Sequence, residues 1–127
     1  LSLRRHPMAF LRASLAARKI LTTAESRDPR RSPYGAWVRV AGVVLVRQRP
    51  SSASGVIFMT IEDETGTANV MIRPSVLPRV KKAMSGSVLL CSGRMERVGE
   101  VAHVVAADVQ DISQELRELA VQSRNFR

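Results

Sequence analysis

An aromatic side chain and several arginine and amide side chains alternate with aliphatic residues in two neighbouring segments of this chain. In the segment GVIFMTIED, Phe58 and Thr60 alternate with Ile57, Met59 and Ile61, and the segment TANVMIR shows the same alternation. Because successive side chains of a strand point to opposite faces, the aliphatic set is predicted to face a core and the other set to face solvent. An aromatic ring surrounded by guanidinium and amide groups can stack bases and neutralise phosphates. The candidate binding residues, with those of the preceding segment, are Arg39, Arg47, Gln48, Arg49, Phe58, Thr60, Asn69, Met71 and Arg73.

Each of these signals has a plainer interpretation, which the sequence leaves open. For Phe58 the alternative is packing under an N-terminal helix or under the loop that follows Arg49. For Arg47 and Arg49 it is solvated loop charge. Further basic residues near the N-terminus form either a flank for a polyanion or a helix that docks on another domain; they are Arg4, Arg5, Arg12, Arg18 and Lys19.

The acidic and sulfur-containing residues do not have the spacing of a catalytic site. Glu62, Asp63 and Glu64 are adjacent at the end of one segment, whereas a catalytic metal pair needs carboxylates that converge from separate elements. Asp63 before Thr65 is typical of a hairpin turn. The single cysteine, Cys91, excludes an internal disulfide framework and any Cys-rich zinc site, so it is predicted to be a buried thiol in a reducing compartment. We expect no catalytic residue, metal site or cofactor in this chain.

The charge is +9 overall, and its excess lies in the first 50 residues, which hold 11 basic and 2 acidic side chains. A polyanion is the natural partner, because each phosphate that is neutralised releases condensed counterions. The alternative is that arginine enrichment reflects a GC-rich coding sequence. No apolar run approaches the roughly 20 residues that a membrane helix needs, so no membrane partner is predicted. The chain begins at Leu1, so we expect it to be a segment of a longer protein.

Five strand-like segments are recognisable from β-branched content and from the turn residues between them. Three come first, then a short helix over residues 76–84, then two more; this is the arrangement of a five-stranded OB-fold barrel. Gly42 within the first segment predicts a bulge or a sharp bend. The predicted fold is therefore all-β with extra helices at both ends. Its predicted parts are an N-terminal helix and basic linker (1–35, with the helix at 7–19 and the linker at 27–35), an OB-fold domain (36–110), and a C-terminal helix and tail (111–127).

One motif in this order carries a family resemblance. Phe58, Ile61, Asp63, Thr65 and Gly66 fit the pattern F-x-x-[LI]-x-D-x-[TS]-G, which resembles the OB module of anticodon-binding domains and bacterial replicative polymerases. The segments RRHPMAFLR, VLVRQRPSSASGVIFMTIEDETG and SRNFR look more specifically like the C-terminal part of the error-prone paralogue of the bacterial DNA polymerase III alpha subunit. That resemblance covers nearly the whole chain.

The resemblance implies a C-family, DNA-directed DNA polymerase of the bacterial cytoplasm that acts in damage tolerance and translesion synthesis. In that setting the OB-fold domain binds the single-stranded template, with Phe58 at the stacking position and Arg39 and Arg47 at the basic positions of the first strand. The acidic palm residues of the polymerase have no match in this chain. The implied partners are single-stranded DNA and, through the parent protein, polymerase accessory proteins and the sliding clamp.

Two other functions use the same predicted surface. The barrel could dock a polymerase accessory protein, with Phe58 and Met71 as apolar anchors. It could also be a tRNA-anticodon-type binding domain, in which case contacts to the 2′-hydroxyl would favour RNA over DNA.

Overall fold

The structure is a computed structural model that describes residues 6–49 and 55–125. For residues 120 and 122–125 it describes the backbone but not the side chains. Arg4, Arg5, most of the loop after Arg49 and the last two residues therefore lie outside the described residues. Among the described residues, no helix combines the length and apolarity that crossing a bilayer requires. The elements in chain order are a 3₁₀ turn (Pro7–Leu11), α1 (Arg12–Ala17), α2 (Thr23–Arg27), β1 (Trp37–Gln48), β2 (Ile57–Asp63), β3 (Gly66–Ile72), α3 (Leu77–Met84), β4 (Val88–Val98), β5 (Val101–Asp111) and α4 (Ser113–Asn125).

The five strands form a closed barrel in the order β1-β2-β3-β5-β4, which confirms the predicted OB fold. All neighbouring strands are antiparallel except β3 and β5, which are parallel. Closure leaves few unpaired backbone groups at a free edge. Exposed edges of strands this apolar would otherwise be prone to pair with other chains. The helix between the third and fourth strands is also present, as predicted.

Gly42 lies where β1 changes partners. Residues 37–43 of β1 pair with β4, and residues 43–48 pair with β2. A Cβ atom on Gly42 would lie 2.7 Å from the backbone oxygen of Glu62 and 2.9 Å from its nitrogen. Only glycine permits this approach, and the pairing of β1 with β2 shifts register between Val44 and Val46. The predicted bend is thus a change of strand partner with an adjacent bulge.

The barrel interior holds the aliphatic residues that alternation predicted. Along β2 buried and partly exposed residues alternate strictly, with Ile57, Met59 and Ile61 inside, and β3 buries Val70 and Ile72 in the same way. Helix α3 contributes its buried side chains Val80 and Met84 to this core. The core occupies the barrel interior, and α3 packs against it at one end.

A second apolar cluster lies outside the barrel. Outward side chains of β1 and β4 pack with the 3₁₀ turn, α1 and α4 in a set comprising Met8, Leu11, Leu15, Ile20, Ala41, Val88, Leu90 and Ile112. The predicted helix over residues 7–19 is therefore a 3₁₀ turn followed by α1, and it is packed on the barrel.

Helix α1 ends at Ala17 because the chain turns into a left-handed conformation at Lys19, whose φ is 60°. The amide of Lys19 donates to the carbonyl of Ala16, and that of Ile20 donates to Leu15, which is the hydrogen-bond pattern of a Schellman motif. Ile20 and Leu15 are both buried in the outer cluster. The apolar contact that usually accompanies this motif thus fixes the chain direction after α1.

Helix α2 was not predicted, although the sequence carries its signal. Thr22 and Glu25 form a reciprocal capping box at its start. The predicted linker that follows lies against the barrel: the guanidinium of Arg97 donates to the carbonyls of Arg27 and Ser32, and Ser32 is buried. The residues before β1 are therefore fixed to the barrel by α2 and by Arg97.

Candidate nucleic-acid interface

The outer sides of β2, β3 and β5 form one continuous surface, here called the β2–β3–β5 face. Phe58 pairs with Gln48 of β1 and with Met71 of β3, and Met71 pairs with Val105 of β5. A second row runs beside it through Val46, Thr60, Asn69 and His103. The side chains of both rows keep partial or full exposure. Gln48, Phe58, Thr60, Asn69 and Met71, all predicted from sequence, are thus neighbours here.

Phe58 and His103 form an aromatic pair on this face. Their ring centroids are 6.3 Å apart with an interplanar angle of 60°, an edge-to-face arrangement. The Nδ1 atom of His103 is buried without a hydrogen-bond partner among the described residues. His103 is not among the binding residues that the sequence pattern predicted. Its place beside Phe58 depends on the parallel pairing of β3 with β5, which no local pattern reveals.

Polar groups surround this aromatic pair. The amide of Asn69 donates to the carbonyl of Ala102 at 3.4 Å, a long hydrogen bond that a ligand can replace. Arg73 reaches Glu96 on β4, with 3.3 Å between guanidinium nitrogen and carboxylate oxygen. Because this ion pair is half exposed, its contribution to stability is small, about 0–1 kcal/mol, and its guanidinium is available to a phosphate at little cost.

The structure does not bring Arg39 and Arg47 to the β2–β3–β5 face. Arg47 donates to the carbonyls of Met84 and Gly86, so it satisfies acceptors at the C-terminal end of α3. Arg39 lies near the start of β1 and donates to the carbonyl of Arg18 at 2.9 Å. Arg49 is exposed just after Gln48, next to the face. The sequence assigned both strand arginines to the hairpin because it could not show the length and curvature of β1.

The three adjacent carboxylates are occupied by the N-terminal segment, and Asp63 is the centre of this contact. The Asp63 side chain is fully buried. It accepts hydrogen bonds from the backbone amide and hydroxyl of Thr23, each at 2.8 Å, and from the amide and hydroxyl of Thr65, at 2.8 and 2.7 Å. Arg12 adds a fifth bond at 3.1 Å. The predicted turn role of Asp63 is confirmed, and the same side chain also holds the start of α2.

The flanking carboxylates bind the same segment. Arg12 contacts both oxygens of Glu64, at 2.6 and 3.0 Å, and His6 lies 2.9 Å from Glu62. The hydrogen bond from Arg12 lowers the pKa of Glu64. Burial alone would raise the pKa of Asp63, but the hydrogen bonds from Thr23 and Thr65 outweigh it and lower that pKa. All three carboxylates therefore serve to dock the N-terminal segment, and Arg12 is engaged with them.

Neither the cysteine nor the acidic and histidine side chains form a reactive or metal-binding site among the described residues. Cys91 is fully buried, as predicted, and burial raises the pKa of its thiol to about 12, so no thiolate forms near neutral pH. Within the described parts of the chain, no three His, Cys, Asp or Glu side chains are grouped to hold a metal ion. The arrangement that remains is a surface for binding, with an aromatic pair, amide groups and arginines.

Comparisons with known proteins agree with this geometry. Residues 38–112 match the family described as OB-fold nucleic acid binding domain. The chain is 47% identical over its whole length to error-prone DNA polymerase 3 of Agrobacterium fabrum, and 45% identical to error-prone DNA polymerase 2 of Rhizobium meliloti. The chain spans only 12% of the length of these two relatives, and the matching part is their C-terminal region.

Solved structures share the fold at lower identity. Asparaginyl-tRNA synthetase from Pyrococcus horikoshii matches 82% of this chain with 30% of its own, at a TM-score of 0.57 and 21% identity. An OBody bound to hen egg-white lysozyme matches 75% of this chain with 92% of its own, at a TM-score of 0.58 and 20% identity. At these identities the likeness is one of fold alone.

Proposed function

Because the chain belongs to the family of OB-fold nucleic acid binding domains, we propose that its β2–β3–β5 face binds single-stranded DNA. The observation that carries the proposal is the Phe58–His103 pair, which joins two neighbouring rows of outward side chains. The terminal helices pack on the outer side of β1 and β4, whereas this face keeps its side chains partly exposed. A single strand presents its bases to such a surface, while a duplex does not.

Binding on this face is proposed to be tolerant of sequence. Every base has a π face that can stack on Phe58, and this interaction contributes about 1–3 kcal/mol per base. Arg73 and Arg49 are placed to neutralise phosphates, which depends on charge and not on base identity. Asn69 and Thr60 add hydrogen-bonding groups to the same face. The face therefore captures a strand without reading its bases individually.

We further propose that the strand is the template of an error-prone DNA polymerase acting in damage tolerance and translesion synthesis. The proposal is supported by the names and identities of the relatives. A sequence-tolerant surface suits a template that carries damaged bases, because stacking does not require an intact pairing edge. Under this proposal, catalysis and contacts with polymerase accessory proteins or the sliding clamp belong to the rest of the parent protein.

Replacing Phe58 with alanine is expected to weaken binding of oligo-dT by about 1–3 kcal/mol, or roughly 5- to 150-fold, because one stacking platform is lost. Thermal stability should change little, since the ring is only partly buried. Fluorescence anisotropy measures the affinity, and circular dichroism the melting temperature. Phe10→Ala is the matched control, because Phe10 is 45% exposed and lies in the 3₁₀ turn. Equal affinities for Phe58→Ala and the wild type would contradict the platform.

Replacing Arg49 with alanine is expected to lower the slope of log affinity against log salt by about 1, because one phosphate contact is removed. The measurement is oligo-dT anisotropy at several salt concentrations. Arg117→Ala is the control, since Arg117 is an exposed arginine on α4. If Arg49→Ala and Arg117→Ala give the same salt slope, Arg49 makes no phosphate contact and is a solvated loop charge.

Docking of an accessory protein remains the second candidate, and one observation favours it. Val98 and Val101, at the tip of the β4–β5 hairpin, are 71% and 49% exposed. Apolar docking changes little with salt, whereas binding to phosphates weakens steeply as salt rises. A salt-independent complex would therefore favour the docking function. Tighter binding of oligo-U than of oligo-dT would favour an RNA ligand, because the 2′-hydroxyl adds contacts.

A further inference from the structure

A basic cleft lies between the start of β1 and the connection from α1 to α2, outside the β2–β3–β5 face. Its volume is about 400 Å³. Four cationic residues, one tryptophan and two aliphatic residues line it: Arg18, Lys19, Arg31, Arg39, Trp37, Leu21 and Val38. Leu21 joins the cleft to the barrel, since its amide donates to the carbonyl of Arg39 at 2.8 Å. The wall of the cleft is therefore built on the sheet itself.

The indole of Trp37 is 51% exposed, although tryptophan carries a large apolar surface. The guanidinium carbon of Arg94 lies 5.5 Å from the indole centroid, a cation–π contact. Arg94 is itself held by the carbonyl of Gly35 at 3.2 Å. The ring is therefore supported in a fixed position while half of its surface stays open to a ligand.

The cations of the cleft are positioned by the fold. Arg39 is held by the carbonyl of Arg18 at 2.9 Å, and Arg31 pairs with Glu25 at 2.6 Å. Lys19 occupies the left-handed position after α1, where glycine is the usual residue and any side chain costs about 1–2 kcal/mol. Despite this cost the position holds a lysine, and its exposed side chain lines the cleft together with the indole of Trp37.

The strand register connects this cleft to the β2–β3–β5 face. Phe58 pairs with Met71, Met71 with Val105, Val105 with Arg94, and Arg94 with Trp37. All five side chains point outward and form one row around the barrel. With neighbouring strands ~4.8 Å apart, the row from Phe58 to Trp37 is roughly 19 Å long. A strand towards the upper end of the roughly 4–16 nucleotides that an OB fold binds can follow a row of this length.

We propose that the cleft is a second binding site for the same single strand, taking one nucleotide unit with its base against Trp37 and its phosphate among Lys19, Arg31 and Arg39. The inference rests on the proposed function of the β2–β3–β5 face and extends it to a strand that follows the outward row. An aromatic ring beside several cations fits a nucleotide, because the ring stacks the base and the cations neutralise the phosphate.

Trp37 is the only tryptophan of the chain, so its fluorescence reports on the cleft alone. Oligo-dT of about 16 nucleotides is expected to quench this fluorescence as it binds, because a base stacks on the indole. Trp37→Ala should weaken its binding by roughly 5- to 150-fold, the contribution of one stacked base. For an oligo-dT of about 4 nucleotides, which is too short to reach both sites, Trp37→Ala should reduce the affinity by a smaller factor.

Lys19→Gly provides a second variant that is expected to fold well, because glycine adopts the left-handed conformation without strain. It should lower the salt slope for the longer oligonucleotide by about 1, whereas Lys82→Ala on α3 should leave it unchanged.

The two proposals fail in different ways. Anisotropy showing binding without quenching, together with unchanged affinity in Trp37→Ala and Lys19→Gly, would overturn the cleft and leave the β2–β3–β5 face standing. Quenching that persists while Phe58→Ala binds like the wild type would support the cleft as a site and overturn the face. Absence of binding by either oligonucleotide would overturn both.

Discussion

Asp63→Ala is expected to lower the free energy of unfolding by about 3–5 kcal/mol, a large share of the stability of a domain this size. The carboxylate is fully buried and accepts five hydrogen bonds from Thr23, Thr65 and Arg12. Removing it leaves the backbone amides of Thr23 and Thr65 without their acceptor, while Arg12 keeps only its bonds to Glu64. Urea unfolding followed by far-UV circular dichroism measures the loss.

Glu62→Gln is the matched control for Asp63→Ala. Glu62 is the neighbouring carboxylate, but its side chain is 38% exposed, and its hydrogen-bond partner among the described residues is His6. Its loss is expected to cost less than about 1 kcal/mol. Equal destabilisation by the two substitutions would mean that the buried network around Asp63 contributes nothing beyond a surface ion pair.

The stability conferred by Asp63 also depends on pH. Because hydrogen bonds lower its pKa in the folded state, the carboxylate stabilises the protein above the unfolded-state pKa of about 3.9. This contribution is lost as the pH falls through the lower, folded-state pKa. The difference in stability between wild type and Asp63→Ala should therefore be full near neutral pH and shrink below about pH 4. A difference that is constant down to strong acid would contradict the role of the charge.

Gly93→Ala is expected to destabilise the barrel by about 4 kcal/mol or more, which is at the upper end for a single substitution. Gly93 lies at a register shift between β4 and β5. A Cβ atom there would overlap the carbonyl group of Val105, with the carbonyl carbon at 2.7 Å and the Cα of Ala106 at 2.9 Å. Backbone atoms of a paired strand cannot move aside without breaking the ladder, so the substitution opens the barrel between β4 and β5.

Gly99→Ala serves as the comparison for Gly93→Ala. Gly99 lies in the turn between β4 and β5 with φ 62°, and a Cβ atom there would meet nothing within 4 Å. Its replacement should cost only the left-handed strain of about 1–2 kcal/mol. Both variants are measured by urea unfolding under the same conditions. A Gly93→Ala variant as stable as Gly99→Ala would show that the strands can separate locally at little cost.

The strands and the inward residues could be predicted from the sequence, because alternation is a property of a single strand. Ile57, Met59 and Ile61 must share a face whatever the strand pairs with. For the same reason Phe58 and Thr60 were placed outside correctly. The signal for α2 was also local, in Thr22 and Glu25, and it was missed because the helix is only five residues long.

The positions of the arginines could not be predicted, since they depend on long-range contacts. Arg39 and Arg47 lie on one strand, yet one donates to Arg18 and the other to Met84. Their separation results from the length of β1, which pairs first with β4 and then with β2. Likewise, Asp63 showed its turn role in sequence, but its bond to Thr23, 40 residues away, did not.

By itself, the sequence determined the five strands, the helix between the third and fourth, and the side of each strand that faces the core, because these follow from short periodic patterns. Only the tertiary structure decided that His103 joins Phe58, that the three carboxylates bind the N-terminal segment, and that Trp37 lies among cations. The physical reason is that barrel closure and register bring together residues whose separation along the chain leaves no periodic trace.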